Sequence, residues 1–576
     1  MILQTTGGIK QQDFSDPLFP LGPWCAEGNH RPELTAEDLP ADFDLNVTET
    51  TDQILQSLEP RLYSILNELH GANLGPTVWK NSLGTYLRVL TPLVVTRYNL
   101  IKRVVDHRGC HEFTNVSVDA TQLIPNDRTE LLVSLNSHSW NHDLLAELCI
   151  SLGLRPRNPE QQLSLQPHDP TASQQLHRPS GNRTKTLTMR AFNFLAARSQ
   201  TLITRTMLPS HLDLKLALRM KTLPYFWFDD FMFSQHTDRQ ARHRIIELLQ
   251  CDTKPADLLI NAIVRRLPKV FIEDFSRARS VAKMRFPQFP RRVFTSNLHQ
   301  SSDVFLLWLS EVREQGTHII IAQHGGVHSL CRDVPADISA EIELSNRYIA
   351  WGNRSYISPK VQQGPTLVNV GRKRIKRSHR SSPRSLLIVL DASYRYPSIP
   401  RGMNGSRFDY AAHITDLINR LDQEVVSKIV LRPYRGAEIW DDSILDLLPK
   451  GPRVEIDTTF PPIESLYASA HMVLSTSLGT TFFQTIFHKV PSVVFLNSEL
   501  SPLSEWASQG LRPLEAASVL HFETESLAEH INMVFHDPVR WWESMSVQNA
   551  ISSFENEMSP VCKSPISFYV NELTTP

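Results

Sequence analysis

Residues 319–328 read IIIAQHGGVH, and the rest of the chain can be interpreted outward from them. An apolar run that stops abruptly at turn residues is typical of a buried parallel strand. The pair Gly325-Gly326 would let backbone N–H groups approach a ligand that a Cβ atom would block. Because ligands of open α/β sheets bind beyond the carboxyl ends of strands, we predict a ligand site lined by Gln323, His324 and His328. The alternative is a tight turn with a solvated histidine.

The composition narrows the possible function classes. Only 22 of the 576 residues are glycine, about 4% against a usual ~7%, so an adjacent pair after a strand is informative. The 59 basic and 60 acidic residues nearly cancel, which argues against a nucleic-acid partner. The six cysteines are scattered without a C-x-x-C motif. This pattern is typical of reduced cytoplasmic thiols and not of a disulfide framework or a zinc site.

The hydropathy of the chain and its first residues indicate where in the cell the protein is located. Residues 1–6 lack the basic segment and long apolar core of a signal peptide. No window approaches 18 consecutive apolar residues, the length that a membrane-spanning helix requires. We therefore expect a cytoplasmic protein without a transmembrane segment.

The first 290 residues are interpreted mainly as helical scaffold. Residues 17–25 predict a short strand that enters a glycine turn, and residues 51–69 and 79–105 predict two amphipathic helices. Residues 131–135 are either a strand or a helix end. A loop containing Trp140 and Asn141 then opens a helix over 143–152. Residues 155–185 predict a polar surface excursion or a disordered insert, and residues 190–267 predict helices.

Two α/β units follow. The first has predicted strands over 292–295, 318–322 and 347–351, with a helix capped near Ser302 between the first two. The second has predicted strands over 385–390, 428–431, 454–456, 472–474 and 492–496. This rhythm predicts an α/β fold with two Rossmann-like domains facing across a cleft and a helical elaboration at the amino terminus.

The turn after residues 472–474 is the second candidate site. A small-residue turn that leads into a helix presents N–H groups and a positive dipole end, which suits phosphate. We predict that Arg432, at the end of a neighbouring strand, assists. The alternative is ordinary N-capping by threonine, and the Walker A lysine is absent. The residues of this turn are Ser475, Thr476, Ser477, Gly479, Thr480 and Thr481.

Residues 353–384 are interpreted as a connector because they contain the basic cluster RKRIKR over 372–377. A solvated linker or a contact with an acidic partner is favoured over a nucleic-acid patch. We therefore expect an amino-terminal domain over 1–365, a basic linker over 366–384, a carboxyl-terminal domain over 385–520 and a helical tail over 521–576.

Five motifs, taken together, make this chain resemble a known protein family. They are Leu21-Gly22-x-Trp24-Cys25, Trp140-Asn141-His142, Gln323-His324-Gly325-Gly326, Trp351-Gly352 and Ser475-Thr476-Ser477-x-Gly479-Thr480-Thr481-Phe482. The combination resembles a bacterial family of surface-carbohydrate transferases that is distantly related to GT-B glycosyltransferases, including capsule and Kdo-type transferases. The resemblance covers nearly the whole chain, with residues 155–185 as the main exception.

The resemblance implies a GT-B-like fold, a nucleotide-activated sugar donor bound mainly by the carboxyl-terminal domain, and a glycan or lipid-linked acceptor held mainly by the amino-terminal domain. It implies no cofactor and no catalytic metal, and it is compatible with peripheral membrane contact. Two positions depart from the family pattern. Gln484 stands where a glutamate often holds a ribose, and Pro23 stands where an acidic residue is expected.

The predicted function is transfer of a sugar or sugar-phosphate from the nucleotide-activated donor to a surface-polysaccharide or glycan acceptor. His324 would act as general base or as phosphate ligand. Asp333 and Glu343 are rival bases, and His328 is a candidate assistant. Two alternatives keep the same fold: a catalytically silent carbohydrate-binding or assembly protein, and a nucleotide-sugar epimerase.

Overall fold

The computed structural model contains three sheets in which the strands named below pair in parallel. It describes residues 2–25, 43–119, 123–160, 163–165, 183–228, 231–234, 236–251, 253–326, 330, 336–352, 354, 357–376, 384–396, 407–435, 444–497 and 503–575.

The first sheet has the order β2-β1-β3-β4 and lies among long helices. Its strands are β1 (Ile2–Gln4), β2 (Leu18–Pro20), β3 (Glu112–Thr114) and β4 (Arg155–Arg157). Its helices are Phe43–His70, Pro76–Arg108, Arg128–Ser134 and His138–Ser151. Residues 155–157 were expected to be irregular, and that prediction was wrong. The side chains of β4 are exposed, so the strand leaves no apolar pattern.

The second sheet has the order β10-β9-β8-β7-β5-β6. Its strands are β5 (Thr201–Thr204), β6 (Pro224–Tyr225), β7 (Arg292–Thr295), β8 (His318–Ala322), β9 (Arg347–Trp351) and β10 (Val361–Gly364). Its helices are Arg183–Ala196, Ser210–Arg219, Phe275–Arg285, Leu298–Ser301, Asp303–Glu314 and Ala336–Leu344. The helices Arg239–Leu248 and Lys254–Arg265 pack on the long helices of the first sheet. Strands β5 and β6 fall where only helices were predicted, and β10 falls in the predicted connector. Strand β6 has two residues, too few to show a period of two, and β10 has two exposed glutamines between its buried ends, which is not the pattern of an apolar strand.

The third sheet has the order β13-β12-β11-β14-β15-β16. Its strands are β11 (Ser385–Val389), β12 (Lys428–Arg432), β13 (Val454–Ile456), β14 (Met472–Ser475), β15 (Ser492–Phe495) and β16 (Leu520–His521). Its helices are Arg407–Arg420, Ile463–Ser469, Thr480–His488, Glu505–Ala516 and Thr524–Val534. This order is that of a dinucleotide-binding Rossmann sheet, whose switch point lies between β11 and β14.

The second and third sheets confirm the predicted α/β fold with two Rossmann-like units. Residues 1–365 hold both the first and the second sheet, whereas we had expected a single sheet with helical insertions there. Among the described helices, none has the length and hydrophobicity needed to span a bilayer.

The segment predicted as a helical tail divides between two sheets. The helix Thr524–Val534 packs into the core of the third sheet, where Leu527 and Ile531 are buried. Three further helices follow, Pro538–Trp542, Met545–Met558 and Pro565–Thr574. The helix Met545–Met558 packs on the third unit, where the rings of Phe554 and Phe482 are 5.6 Å apart. The helix Pro565–Thr574 returns to the second sheet: the ring centroids of Tyr569 and Phe294 are 5.3 Å apart, and Arg347 pairs with Glu572 at 3.0 Å. The chain end therefore joins the two Rossmann-like units.

Candidate functional site

The turn that follows β8 is held by Gln323. Its amide Nε2 donates to the carbonyl of Gly325 at 2.6 Å, and its Oε1 accepts from the backbone N–H of Trp351 at 2.8 Å. The indole N–H of Trp351 donates to the carbonyl of Gln323 at 3.0 Å. Both ends of the Gln323 amide thus bond to the backbone of the turn and of the neighbouring strand. These bonds favour a structural role over the ligand-binding role that we had predicted.

His324 projects from this turn with a partly exposed ring. Its side chain is 18% exposed, and Nδ1 lies 3.8 Å from Oε1 of Glu341. Glu341 sits on the helix Ala336–Leu344, and its carboxylate is only 2% exposed. The same Oε1 atom also accepts from Nε2 of His299 at 2.8 Å and from Nε2 of Gln300 at 2.6 Å. A buried carboxylate therefore lies behind the candidate base.

The negative charge of Glu341 shifts the pKa of a neighbouring side chain. Burial, and after it the negative charge of Glu341, raise the pKa of Tyr348 well above its usual value, while Arg354 opposes the shift. Tyr348 and Arg354 are both almost fully buried. In such a low-dielectric setting a fixed carboxylate stabilises a nearby imidazolium more strongly than it would in water. The site can therefore support proton transfer at His324.

The second turn leads from β14 into the helix Thr480–His488 at the switch point of the third sheet. The N-cap residue is Gly479, which supplies no side-chain cap, so the first N–H groups of the helix are available to a ligand. Ser477, Thr480 and Thr481 are partly exposed. A helix start of this kind favours anions.

Two residues of this turn, Thr476 and Ser475, have buried side chains. Thr476 Oγ1 donates to the carbonyl of Val389 at 3.0 Å and accepts from the N–H of Asp391 at 3.1 Å, which ties the ends of β11 and β14 together. Its predicted ligand contact is therefore corrected to a structural role. The Ser475 hydroxyl is buried and has no hydrogen-bond partner among the described residues.

The two turns are in direct contact. A Cβ atom on Gly326 would lie 2.7 Å from the carbonyl oxygen of Leu478 and 2.8 Å from the carbonyl carbon of Gly479. The rings of Trp351 and Phe483 meet at 5.3 Å. Only glycine permits this approach. The carboxyl ends of β8 and β14, and with them His324 and the helix start, therefore belong to one site.

Several predicted site residues serve other purposes. Arg432 pairs with Asp457 and donates to the carbonyl of Pro461 at 3.0 Å. Gln484 is buried, and its Oε1 accepts from Tyr467 at 3.4 Å. These bonds favour structural roles for both residues over the donor-binding roles that we had predicted.

The motif Trp140-Asn141 also lies in the core. Trp140 is 1% exposed, and Asn141 donates to the carbonyls of Leu135 and Ser137, both at 2.9 Å. The helix begins at His138 and not at residue 143, so these side chains face inward instead of lying in a loop. Both side chains are therefore part of the protein interior.

The predictions for the two rival bases and for the candidate assistant have different outcomes. His328 and Asp333 lie outside the described residues. Glu343 pairs with Lys80 and Arg88, each at 3.2 Å. Burial would raise the pKa of Glu343, but the charges and hydrogen bonds of Arg88 and Lys80 outweigh it and lower that pKa. Glu343 therefore belongs to a surface ion cluster.

The structure adds a third turn that the sequence interpretation missed. Residues 5–8, Thr-Thr-Gly-Gly, follow β1 and meet the loop after β11. Tyr396 from that loop bonds to Thr6 and, at 2.5 Å, to Nδ1 of His138. Nearby, Arg395 Nε donates to the carbonyl of Trp24 at 2.9 Å. The available signal was a glycine pair after an apolar stretch, the same pattern as at Gly325-Gly326.

The arrangement of the described side chains does not favour a metal site. Within the described residues, no group of three or more histidine, cysteine or carboxylate side chains could hold a metal ion. His299, Glu341 and His324 are joined by hydrogen bonding and charge instead.

A protein-family model matches almost the whole chain. The model of the LIC12162 family transferases matches residues 1–573 of the 576. This chain belongs to the LIC12162 transferase family. The family assignment makes it a transferase and covers all three sheets.

Solved structures with detectable similarity to this LIC12162 family member are remote. The wall teichoic acid polymerase TagF is 10% identical, with 52% of this chain and 84% of that chain covered at a TM-score of 0.28. TarM is 11% identical, with 55% and 60% covered at 0.33. Acinetobacter baumannii MurG is 9% identical, with 65% and 98% covered at 0.31. Such low TM-scores support no residue-level comparison. No curated protein matches the chain significantly.

Proposed function

We propose that this transferase moves a sugar or a sugar-phosphate from a nucleotide-activated donor to a surface-polysaccharide or glycan acceptor. The observation that carries the proposal is the contact between the His324 turn and the start of the helix Thr480–His488. A candidate base and a candidate phosphate site thereby lie side by side on two Rossmann-like sheets. Family membership supports transfer, and the geometry supports this chemistry.

The helix start is the proposed donor site. The N–H groups of Thr480 and Thr481 would donate to the phosphate that leaves with the nucleotide. The hydroxyl of Ser477 lies beside them. Stabilising the negative charge of the departing phosphate is the larger part of catalysis in such a reaction.

His324 is the proposed general base. Nδ1 lies 3.8 Å from Glu341, and we assign to Nε2 the acceptance of the proton from the acceptor hydroxyl. The acceptor oxygen then bonds to the transferred carbon or phosphorus atom as that atom's bond to the nucleotide phosphate breaks. The carboxylate of Glu341 stabilises the imidazolium that forms, as in other carboxylate–histidine pairs.

The decisive experiment removes one backbone N–H group. Proline is tolerated at the first position of a helix, so Thr480→Pro deletes the N–H donor while the helix is kept. Thr480→Ala deletes only the hydroxyl and is the matched control. The full chain is first screened for thermal stabilisation by a panel of nucleotides and nucleotide sugars. The strongest ligand is then titrated against both variants.

We expect Thr480→Pro to bind that ligand about tenfold more weakly than Thr480→Ala, because a hydrogen bond to a charged group contributes ~1.5–3 kcal/mol. Equal affinities in the two variants would show that the helix start does not hold phosphate. Mass spectrometry of products then separates the chemistries. A product joined to the acceptor indicates transfer, an isomerised nucleotide sugar indicates epimerisation, and an unchanged ligand indicates a silent binding protein.

A further inference from the structure

A cavity of about 1030 Å³ lies among three helices beside the first sheet. These helices are His138–Ser151, Arg239–Leu248 and Lys254–Arg265. Among the described residues that line the cavity, none belongs to the two turns of the candidate functional site. A cavity of this volume is large enough to enclose a small organic molecule.

The helices Arg239–Leu248 and Lys254–Arg265 run in opposite directions along this cavity. Nη1 of Arg242 donates to the carbonyl of Leu267 at 2.9 Å, so the start of the former helix lies beside the end of the latter. Only residues 249–253 separate the other two helix ends in the sequence. The cavity therefore has an arginine end, beside Arg242, and an opposite end, beside this short connection.

Two buried arginines at the arginine end are paired within the protein. Arg242 pairs with Glu273 at 2.8 Å. Arg266 pairs with Asp143 at 2.5 Å and with Glu147 at 2.6 Å. The side chains of the two arginines are only 6% and 5% exposed. They therefore form a fixed wall of this end, in which two guanidinium groups face three carboxylates.

Two exposed arginines add positive charge at the same end. Nε of Arg265 lies 3.4 Å from Glu147. Arg239, one helical turn from Arg242, is exposed and has no ion-pair partner within the described part of the chain. The four guanidinium groups thus exceed the three carboxylates by one positive charge. One carboxylate from a ligand would balance this charge, and a guanidinium can donate two hydrogen bonds to such a group.

The opposite end of the cavity is mainly aliphatic. Ile246 and Leu258 lie there, and Ile150, on the third helix, also lines the cavity. Lys254 and Asp257 are the charged residues at this end, and their charges cancel. No phenylalanine, tyrosine or tryptophan is present among the described lining residues, whereas nucleic-acid bases are commonly held by stacking on such side chains. The lining therefore favours an aliphatic chain.

We propose that this cavity binds a carboxylic acid with an aliphatic chain, its carboxylate paired with Arg239 and its chain lying along Ile246 and Leu258. Burial of the chain against aliphatic side chains stabilises the complex, and the single excess charge selects for one acid group. A phosphate dianion carries more negative charge than the arginine end can balance. The inference goes beyond the proposed transfer reaction and does not depend on it.

The test is isothermal titration calorimetry of the full chain with octanoate, octylammonium and acetate. We expect octanoate to bind at one site per chain. Octylammonium carries the wrong charge and acetate lacks the chain, so each should bind at least about tenfold more weakly. Arg239→Ala should weaken octanoate binding about tenfold, the effect of losing a hydrogen bond to a charged group. Ile150→Ser should weaken it about fivefold, because apolar contact is lost.

Two matched controls lie outside the cavity. Arg244→Ala removes an exposed arginine from the same helix as Arg239. Leu132→Ser alters a side chain that is 48% exposed, against 59% for Ile150. Both controls should bind octanoate as the unaltered chain does, and all four variants should keep its melting temperature and its nucleotide affinity. The proposal is overturned if octanoate does not bind, if octylammonium or acetate binds equally well, or if Arg239→Ala and Ile150→Ser bind octanoate like the controls.

Discussion

Nδ1 of His324 and Oε1 of Glu341 lie 3.8 Å apart, and the exposure of the two side chains differs sharply, at 18% for the histidine and 2% for the carboxylate. The histidine can therefore meet a substrate while the carboxylate cannot. In the proposed mechanism Glu341 is a positioning residue that balances the charge of the imidazolium.

Glu341→Gln should lower the turnover of the enzyme with its identified donor and acceptor by about tenfold to a hundredfold. This loss is part of the ~10²–10⁴ that a general base contributes. The amide keeps a hydrogen-bond acceptor for His299 and Gln300, so the melting temperature should change little. The value of kcat should fall with KM nearly constant. Glu343→Gln, two residues along the same helix, is the control and should keep normal turnover. Equal rates in the two variants would remove Glu341 from the mechanism.

His324→Ala and His324→Gln should both fold and still bind the nucleotide, because the ring is partly exposed and lies outside the helix start. Loss of the base should lower the turnover ~10²–10⁴-fold. Single-turnover kinetics with the identified substrates measures this step. If glutamine restores most of the rate, the role of His324 is hydrogen bonding and not proton transfer. Near-native turnover in both variants would refute the assignment.

Arg432→Ala should destabilise the protein without weakening nucleotide binding. The guanidinium is paired with Asp457, and both side chains are about nine-tenths buried. Removing one partner of a buried pair typically costs ~3–5 kcal/mol of unfolding free energy. Urea denaturation and nucleotide titration measure the two properties. Arg435→Ala, at an exposed position three residues later, should change neither. Normal stability together with weak binding would return Arg432 to the donor site.

The buried imidazole of His142 should make the free energy of unfolding fall in mild acid. Burial lowers the pKa of His142 to about 4, against about 6.5 when the chain is unfolded. Between these values the unfolded chain binds the proton and the folded one does not. The stability is therefore complete above pH ~6.5 and falls by up to about 3 kcal/mol as the pH drops toward 4.

The measurement is the pH dependence of urea denaturation. His142→Gln should flatten the slope, since glutamine can still accept from the N–H of Val116, as the histidine does at 3.2 Å. His243→Gln changes a ring that is 72% exposed and should leave the slope as it is. A slope unaltered by His142→Gln would contradict the prediction.

Phe554→Ala should cost about 3–5 kcal/mol of unfolding free energy. Phe554 is 1% exposed, and its ring lies 5.6 Å from Phe482 and 5.3 Å from Phe483. It thus anchors the returning helix Met545–Met558 to the third unit. Val561→Ala alters a residue that is 67% exposed and should change the stability by less than ~0.5 kcal/mol. Similar losses in the two variants would show that the helix is not anchored through Phe554.

The long apolar strands were predictable because their period and length leave few alternatives. Strands β8, β11 and β14 and the helix Thr480–His488 are confirmed close to their predicted bounds. The short strands β1, β4 and β6 carry no such pattern, since two or three residues cannot show a period. Sequence proximity to His324 favoured Asp333 and Glu343 as partners. Only the register of the helix Ala336–Leu344 shows that Glu341 faces inward while Glu343 faces Lys80 and Arg88.

The helix Pro565–Thr574 covers a sheet whose last strand, β10, ends some two hundred residues earlier. During synthesis the ribosome makes the second sheet long before it makes Tyr569 and Glu572, which pack against Phe294 and Arg347. Phe294 and Arg347 therefore lack these partners while the intervening residues are made. Completion of the second unit consequently depends on a contact between distant chain segments, and a chain truncated before Tyr569 leaves part of that face exposed to aggregation.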